Sequence, residues 1–200
     1  MKNLAYAKPV RSNNLSLRMM GPQCSSRFAK IRLLAGLALL ILLALPVCAV
    51  ANSGERTLSF YNTHTHERLT VIYKNGNRYN PEALKKISYI LRDHRSGDIY
   101  SMDPKLMDFV YDLLTKVKNH GEVHIISGYR SPKTNAKLRQ KSKGVARGSM
   151  HMKGKALDFR LPGTDTAVLK DTARAMKRGG VGYYRKSDFI QIDTGRVRNW

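Results

Sequence analysis

Residues 149–161 read SMHMKGKALDFRL, and this stretch decides the fold that we predict. Its second half has the two-residue alternation of a β-strand. The apolar members of the alternation share one face: Leu157, Phe159 and Leu161. Asp158 therefore lies on the opposite face, beside the small residue Ala156. A carboxylate in a strand that enters a core is costly unless a positive group compensates it.

His151 is the first candidate for that compensation, because Gly154 allows a sharp turn between the histidine and the strand. His151 and Asp158 can then face each other, as an imidazole and a carboxylate do around a divalent ion, and zinc suits this donor pair best. The alternative is a salt bridge from Asp158 to Arg130 or to Arg160, and spacing alone leaves both possibilities open.

The flanking sequence predicts one α+β domain. Apolar periodicity and helix caps, such as Asn80 before Pro81 and Asp103 before Pro104, predict four helices, at 80–95, 103–121, 131–143 and 165–178. Alternating or short apolar runs predict a hairpin and four further strands, at 56–73, 122–127, 153–161, 180–184 and 188–195. We predict a small antiparallel sheet with flanking helices, and Gly121 as the end of the second helix.

The N-terminal segment has the layout of a secretory signal peptide. Residues 33–45, LLAGLALLILLAL, are uncharged, follow a basic stretch and precede the small-residue site at 49–51. We predict a leader over residues 1–51, with translation starting at Met1 or, to give a shorter leader, at Met19 or Met20. The alternative is an uncleaved anchor, since the apolar run is just long enough to cross a bilayer. Either way the domain is exported, to the periplasm or cell envelope.

The remaining residues, 52–200, are basic and contain no cysteine. The leader holds both cysteines and seven of the 36 Lys and Arg but none of the 14 acids, which leaves 29 basic residues and about +15. A cysteine nucleophile and cysteine metal sites are therefore excluded. The charge predicts an anionic partner such as an envelope polymer, or else only solvated lysines. Export argues against nucleic acid, and the size suits a monomer.

Two motifs identify a family resemblance: SGYRS at 127–131 and S-x-H-x-x-G-x-A-x-D at 149–158. Together with GGVGYYRKSDFIQIDTGRVRNW at 179–200, they closely resemble the YcbK-like (MepK-type) murein endopeptidases. This family belongs to the D-Ala-D-Ala-carboxypeptidase-like zinc peptidases, which share a fold with the hedgehog N-terminal domain. The resemblance covers essentially all of residues 52–200.

The resemblance implies a zinc site and a substrate class. In that family His151 and Asp158 would be zinc ligands, and Arg130 would lie in the cleft and stabilise the oxyanion. The substrate would be a peptide cross-link of peptidoglycan. The third ligand of the family is a histidine before IDTG, and here that residue is Gln191. An amide oxygen is a poorer zinc donor than an imidazole, so weaker metal binding is expected.

The general base has two candidates, Asp188 and Asp193. Asp188 stands three residues before the third ligand position, an offset at which related zinc peptidases place a carboxylate. Asp193 shares the strand face of Gln191. Their alternative roles are a solvated loop charge for Asp188 and turn chemistry for Asp193.

Other histidines could substitute for the missing ligand or form a separate site. His124 lies in a predicted strand before SGYRS, although a strand histidine is more often simply hydrogen-bonded. His64 and His66 fall in the hairpin turn, where an H-x-H metal site lacks a nearby acidic partner. His94 and His120 lie at predicted helix ends, where the helix dipole alone accounts for them.

Three functions follow from these observations. The first is an exported zinc metallopeptidase that hydrolyses peptidoglycan cross-links. The second is a peptidoglycan-binding protein that has lost catalysis because Gln191 replaces the third ligand. The third is an envelope protein whose basic surface binds anionic polymers.

Overall fold

The computed structural model describes residues 54–142 and 144–200. The leader predicted for residues 1–51 lies outside this range. Residues 54–142 and 144–200 contain eight strands: β1 (Glu55–Asn62), β2 (Arg68–Asn75), β3 (Arg78–Tyr79), β4 (Val123–Ser127), β5 (Ala156–Arg160), β6 (Gly180–Tyr184), β7 (Phe189–Asp193) and β8 (Arg198–Asn199). The same described residues contain four α-helices: α1 (Pro81–Ile90), α2 (Pro104–Lys116), α3 (Pro132–Lys141) and α4 (Thr166–Ala175).

The strands form one mixed sheet in the order β3-β2-β1-β4-β5-β7-β6-β8. The α+β class is confirmed, but the prediction of a small antiparallel sheet is wrong. β4 runs parallel to β1, and β8 runs parallel to β6. Parallel neighbours need a long crossover connection. Between β1 and β4 that connection contains β2, β3, α1 and α2, and it brings the chain back beside β1.

The hydrophobic core lies between one face of the sheet and the helices. Side chains that are fully buried there come from the central strands and from α1, α2 and α4, among them Phe60, Ile87, Phe109, Leu157, Phe159, Leu169 and Ile192. Because strand side chains alternate, the residues between them point to the other face. That second face carries Asp158 and Gln191, which are direct neighbours on β5 and β7.

The helix starts agree with the sequence, and several ends do not. The Asn80 side chain accepts hydrogen bonds from two N–H groups of α1, and Asp103 accepts one from α2. α2 ends at Lys116, before the predicted Gly121, and Lys118 takes the left-handed backbone conformation with φ of 54°. β3 and β8 contain two residues each, which is too short to give a sequence pattern.

Within residues 54–142 and 144–200, no helix has the length and apolar character needed to cross a membrane.

Candidate active site

A short 3-10 helix, Met150–Lys153, positions His151. The Ser149 hydroxyl accepts a hydrogen bond from the His151 N–H at 3.4 Å and so caps the helix. Gly154 ends it with φ of 63°, in the left-handed region. A Cβ at this glycine would also lie 2.3 Å from the Ser101 carbonyl oxygen. Both the turn and the close approach therefore require glycine, and they direct the chain from His151 into β5.

The two ring nitrogens of His151 have different partners. Nδ1 lies 2.7 Å from the carbonyl oxygen of Gly128, and Nε2 lies 3.2 Å from Oδ1 of Asp158. A carbonyl can only accept, so Nδ1 carries the hydrogen, and in the neutral ring Nε2 presents its lone pair to a carboxylate. Two acceptors facing each other call for a cation, either a proton on Nε2 or a metal ion between them.

The donor arrangement suits a metal ion in two respects. Metal-binding histidines usually donate their other ring N–H to a carbonyl or carboxylate, as His151 does to Gly128. Two donors at about 2.05 Å from a tetrahedral zinc lie about 3.3 Å apart, which is close to the 3.2 Å between Nε2 and Asp158 Oδ1. The His151–Asp158 pair therefore fits two corners of a zinc site.

Gln191 provides the neighbouring position on β7. It pairs directly with Asp158 on one side and with Gly182 of β6 on the other. Directly opposed residues place their Cβ atoms about 4.5–5.5 Å apart, so the Gln191 amide is a possible third donor on this side of Asp158, and Ser127 of β4 is the opposed residue on the other side. No group of three His, Cys, Asp or Glu that could hold a metal occurs in the described part of the chain. The site thus offers two strong donors and one amide.

Arg130 lies beside this pair, with 12% of its side chain exposed. One guanidinium nitrogen is 3.7 Å from Oδ2 of Asp158. This is the salt bridge to Arg130 that was predicted as an alternative to a metal ion. Burial lowers the pKa of Arg130, and the Asp158 carboxylate opposes part of that effect. Nε of Arg130 is buried without a hydrogen-bond partner among the described residues. An unpaired buried donor is costly, and because Nε is closed to solvent, a ligand in the cleft would contact the terminal nitrogens of Arg130.

Asp93 holds the segment that carries Arg130. Its Oδ2 accepts the Ser131 N–H at 2.9 Å, and its Oδ1 accepts the Arg95 N–H at 3.0 Å. Burial would raise the pKa of Asp93, but hydrogen bonds from the Thr134 side chain and from these backbone groups together lower it well below its usual range. The ionised Asp93 carboxylate therefore ties the start of α3 to the loop after α1.

Asp193 is fully buried, and its carboxylate is already occupied. Arg198 donates two hydrogen bonds to it, at 2.7 and 3.0 Å. The backbone N–H groups of Gly180 and Gly195 also donate to Oδ1. With four donors, Asp193 has the geometry of an internal ion pair, and it is not among the residues that line the cleft described below.

Asp188 is mostly exposed and lies just before β7, with 66% of its side chain accessible. It adopts a left-handed backbone with φ of 50°. Its carboxylate accepts a hydrogen bond from the Thr166 hydroxyl and lies 3.9 Å from Arg160. The Asp188 carboxylate thus points towards the start of α4 and does not line the cleft.

The histidines of β4 and of the turn between β1 and β2 contact each other or aromatic rings. His124 Nε2 lies 3.7 Å from Glu122, and its ring packs edge-on against Tyr61. His66 Nδ1 lies 2.7 Å from the Tyr61 hydroxyl. The His64 ring stacks on a further histidine, His94, with centroids 3.8 Å apart.

A cleft of about 650 Å³ opens over Asp158 and Gln191. Its walls come from Arg130, from the loop after α3, and from the last two strands with the segment between them. Sequence reasoning missed the wall formed by the ends of β6 and β7 and by the C-terminal residues, which includes Tyr184, Phe189, Arg196, Arg198 and Trp200. The available signal was the mixture of aromatic residues and arginines in GYYR and RVRNW, which matches no catalytic pattern.

Comparison with known proteins agrees with this geometry. Residues 50–200 match the family described as "Peptidoglycan L,D-endopeptidase MepK". The chain belongs to this family. A MepK protein of Escherichia coli (strain K12), named "Peptidoglycan L,D-endopeptidase MepK", is 40% identical over 173 residues, which cover 86% of this chain and 95% of the relative. A Haemophilus influenzae protein, named "Probable peptidoglycan L,D-endopeptidase MepK", is 42% identical over 152 residues, covering 76% and 82%.

Membership of the MepK family confirms the resemblance that the two motifs predicted. The matched region contains every site residue discussed above, from Arg130 to Trp200. Gln191 therefore lies within the region that matches the MepK family.

Proposed function

We propose that this chain is an exported, zinc-dependent endopeptidase that hydrolyses peptide cross-links in peptidoglycan. The observation that carries the proposal is the His151–Asp158 pair, in which a buried imidazole nitrogen faces a carboxylate at the floor of a cleft. The names of the MepK relatives supply the substrate class. The leader over residues 1–51 would bring the domain over residues 52–200 to that substrate.

His151 and Asp158 would hold the zinc ion, with the Gln191 amide oxygen as a weak third donor. When bound, zinc would supply Lewis-acid polarisation of the scissile carbonyl. Arg130, which lines the cleft, would bind the same carbonyl oxygen through its terminal guanidinium nitrogens, because their positive charge favours the oxyanion that develops there. Gly128 would keep the His151 ring in one tautomer by accepting its Nδ1–H.

Asp188 is the better of the two candidates for the general base. Freeing Asp193 would break a buried ion pair with Arg198, which costs about 3–5 kcal/mol. Asp188 is exposed and is held mainly by one hydroxyl group, so a side-chain rotation can redirect it. Asp188 does not line the cleft, so to act as the base this rotation would have to bring its carboxylate from Thr166 to the attacking water.

A second candidate function is a peptidoglycan-binding protein without catalysis. Gln191 favours this function, because catalytic zinc normally has three protein ligands and a water molecule. A cleft that contains Arg130 and Asp158 could still bind the wall peptide. The two functions differ in one property only, the hydrolysis of the cross-link.

A third possibility concerns the surface of α3, which could bind anionic envelope polymers. Three exposed lysines lie four residues apart and form a basic stripe along this helix: Lys133, Lys137 and Lys141. Arg95 lies beside the stripe in the same groove. Helix positions four residues apart share one face, so the stripe presents a row of positive charges to an anionic polymer.

Digestion of purified sacculi tests the proposed function. The full chain, its Gln191→His variant and its Arg130→Ala variant are incubated with sacculi and zinc, and released muropeptides are separated and weighed by mass spectrometry. We expect cross-link cleavage that a chelator abolishes, and a loss of turnover of about 10²–10³-fold in Arg130→Ala with wall binding retained. Cleavage by Gln191→His alone would favour the second function. Binding that salt abolishes and Arg130→Ala leaves unchanged would favour the third.

A further inference from the structure

We propose that Tyr184, Arg196 and Trp200 form a substrate subsite in which the indole ring packs against a bound peptide and Arg196 binds a carboxylate of that peptide. We call these three residues the C-terminal shelf. The inference rests on the proposed function only for the identity of the ligand, an acidic peptide of the cell wall. Its physical basis is the construction of the shelf itself.

The indole ring of Trp200 lies directly against the backbone of β6. A Cβ added at Gly182 would be 2.6 Å from two atoms of the ring, so only glycine leaves space for the ring at this position. Gly182 is the direct neighbour of Gln191. Backbone hydrogen bonds from Trp200 N to Val181 and from Tyr183 N to Trp200 hold the segment in place. The ring is thus one strand away from the candidate ligands.

Polar contacts set the orientation of the ring. The indole Nε1–H donates to the Tyr184 hydroxyl at 3.1 Å. The Arg198 guanidinium lies 4.7 Å from the ring centroid, within cation–π range, and is itself held by the buried Asp193. Despite these contacts, 44% of Trp200 is exposed. A large aromatic surface that is held rigidly and open to a cleft is an efficient binding surface, because it loses little entropy when a ligand covers it.

Arg196 supplies the charge of the shelf. It is exposed and lines the cleft. Among the described residues, no carboxylate lies within 4.0 Å of its guanidinium, whereas Arg198 is paired with Asp193. Three arginines and one carboxylate, Asp158, line this cleft. An unpaired guanidinium binds a carboxylate through two parallel hydrogen bonds, so the ligand that the shelf fits is a peptide with a free carboxylate.

Intrinsic fluorescence tests the inference, because Trp200 is the single tryptophan of the chain. The full chain, freed of zinc by a chelator to prevent turnover, is titrated with a purified cross-linked wall peptide and with the same peptide after amidation of its carboxylates. We expect a saturable change in emission with the acidic peptide. Arg196→Gln should weaken that binding about tenfold, the effect of losing roughly 1.4 kcal/mol from a charge-assisted contact, and should leave the amidated peptide unaffected.

Matched variants separate a binding role from a structural one. Arg185→Gln removes an exposed arginine just outside the cleft lining and should not change the affinity. Trp200→Phe, followed by calorimetry, should weaken both peptides while its thermal unfolding shows a folded chain. An emission change in the zinc-free titration, with no hydrolysis in a separate assay that contains zinc, would support the shelf and contradict the peptidase function. Hydrolysis in the assay with zinc, combined with no emission change in the titration or with affinities unaffected by Arg196→Gln and Trp200→Phe, would overturn the shelf and leave the peptidase function intact. Absence of any emission change with either peptide would also overturn it.

Discussion

Replacing Gln191 by histidine should convert the weak metal site that we propose into a strong one. Position 191 pairs directly with Asp158 across β5 and β7, and the two remaining donors are already 3.2 Å apart. An imidazole at this position would complete the set of two histidines and one carboxylate that is common in catalytic zinc sites. No rearrangement of the backbone is needed, because the side chain shares the face of Asp158.

The expected magnitude follows from the change of donor. Exchanging an amide oxygen for an imidazole nitrogen should tighten zinc binding on the order of a hundredfold or more, given the number and type of the ligands. At saturating free zinc a hundredfold lower Kd adds about 2.7 kcal/mol to the free energy of unfolding. For a domain of this size 1 kcal/mol corresponds to about 2–4 °C. Zinc should therefore raise the Tm of the variant by about 5–11 °C more than that of the unaltered chain.

Zinc content and thermal unfolding provide the assay. Competition with a chromophoric chelator gives the Kd, and scans with and without zinc give the shift in Tm. Gln140→His is the matched control, because it adds a histidine on the exposed surface of α3 and should leave both quantities unchanged. His151→Ala in the Gln191→His background should abolish the gain. If the Gln191→His variant bound zinc no better than the control, the His151–Asp158 pair would not be a metal site.

Three further predictions concern the surroundings of the site. Arg198→Ala should lower the free energy of unfolding, measured with urea, by about 3–5 kcal/mol, since it leaves the Asp193 carboxylate buried without a counter-charge. Urea unfolding identical to that of the unaltered chain would contradict this ion-pair role. Asp93→Asn should destabilise the chain by about 1–3 kcal/mol at pH 7. Because the folded-state pKa of Asp93 is lowered, the stabilisation that its carboxylate provides is complete above about pH 4 and is lost as the pH falls through the folded pKa. The unfolding free energies of Asp93→Asn and the unaltered chain, measured with urea, should therefore converge in acid. A difference that stays constant with pH would contradict this expectation. Replacing all three stripe lysines by glutamine should reduce binding to sacculi at low salt and have little effect at high salt. The control triple variant replaces exposed lysines of α1 and α2: Lys86, Lys105 and Lys116.

The elements whose evidence is local were predicted from the sequence. The caps at Asn80 and Asp103 depend on contacts within three residues, and the structure confirms both helix starts. The His151–Asp158 contact spans seven residues and one glycine turn, so alternation and turn chemistry were enough to predict that the two side chains face each other. Short sequence separation leaves few alternative geometries.

The features that depend on distant contacts were not predicted. The parallel pairing of β1 with β4 joins segments about 60 residues apart, and no local pattern records it. The pairing of Asp193 with Arg198 is a different case: the two residues are only five apart, but strand alternation gives the face of a side chain and not its partner, so the pair was missed. Trp200 reaches the cleft because its ring packs against Gly182. This contact joins β6 to the residue after β8, and sequence spacing does not reveal it.

The separation of the core from the cleft explains how a MepK domain can carry glutamine at position 191. The apolar side chains that stabilise the domain lie on the helix-facing side of the sheet, whereas Gln191 and Asp158 lie on the other. Arg130 compensates part of the Asp158 charge without any metal, so we expect the site to stay folded without zinc. Exchanging Gln191 for histidine therefore alters metal chemistry while leaving the core untouched. In zinc-free buffer the variant and the unaltered chain should differ by less than about 0.5 kcal/mol in unfolding free energy, and a larger difference would mean that Gln191 has a structural role of its own.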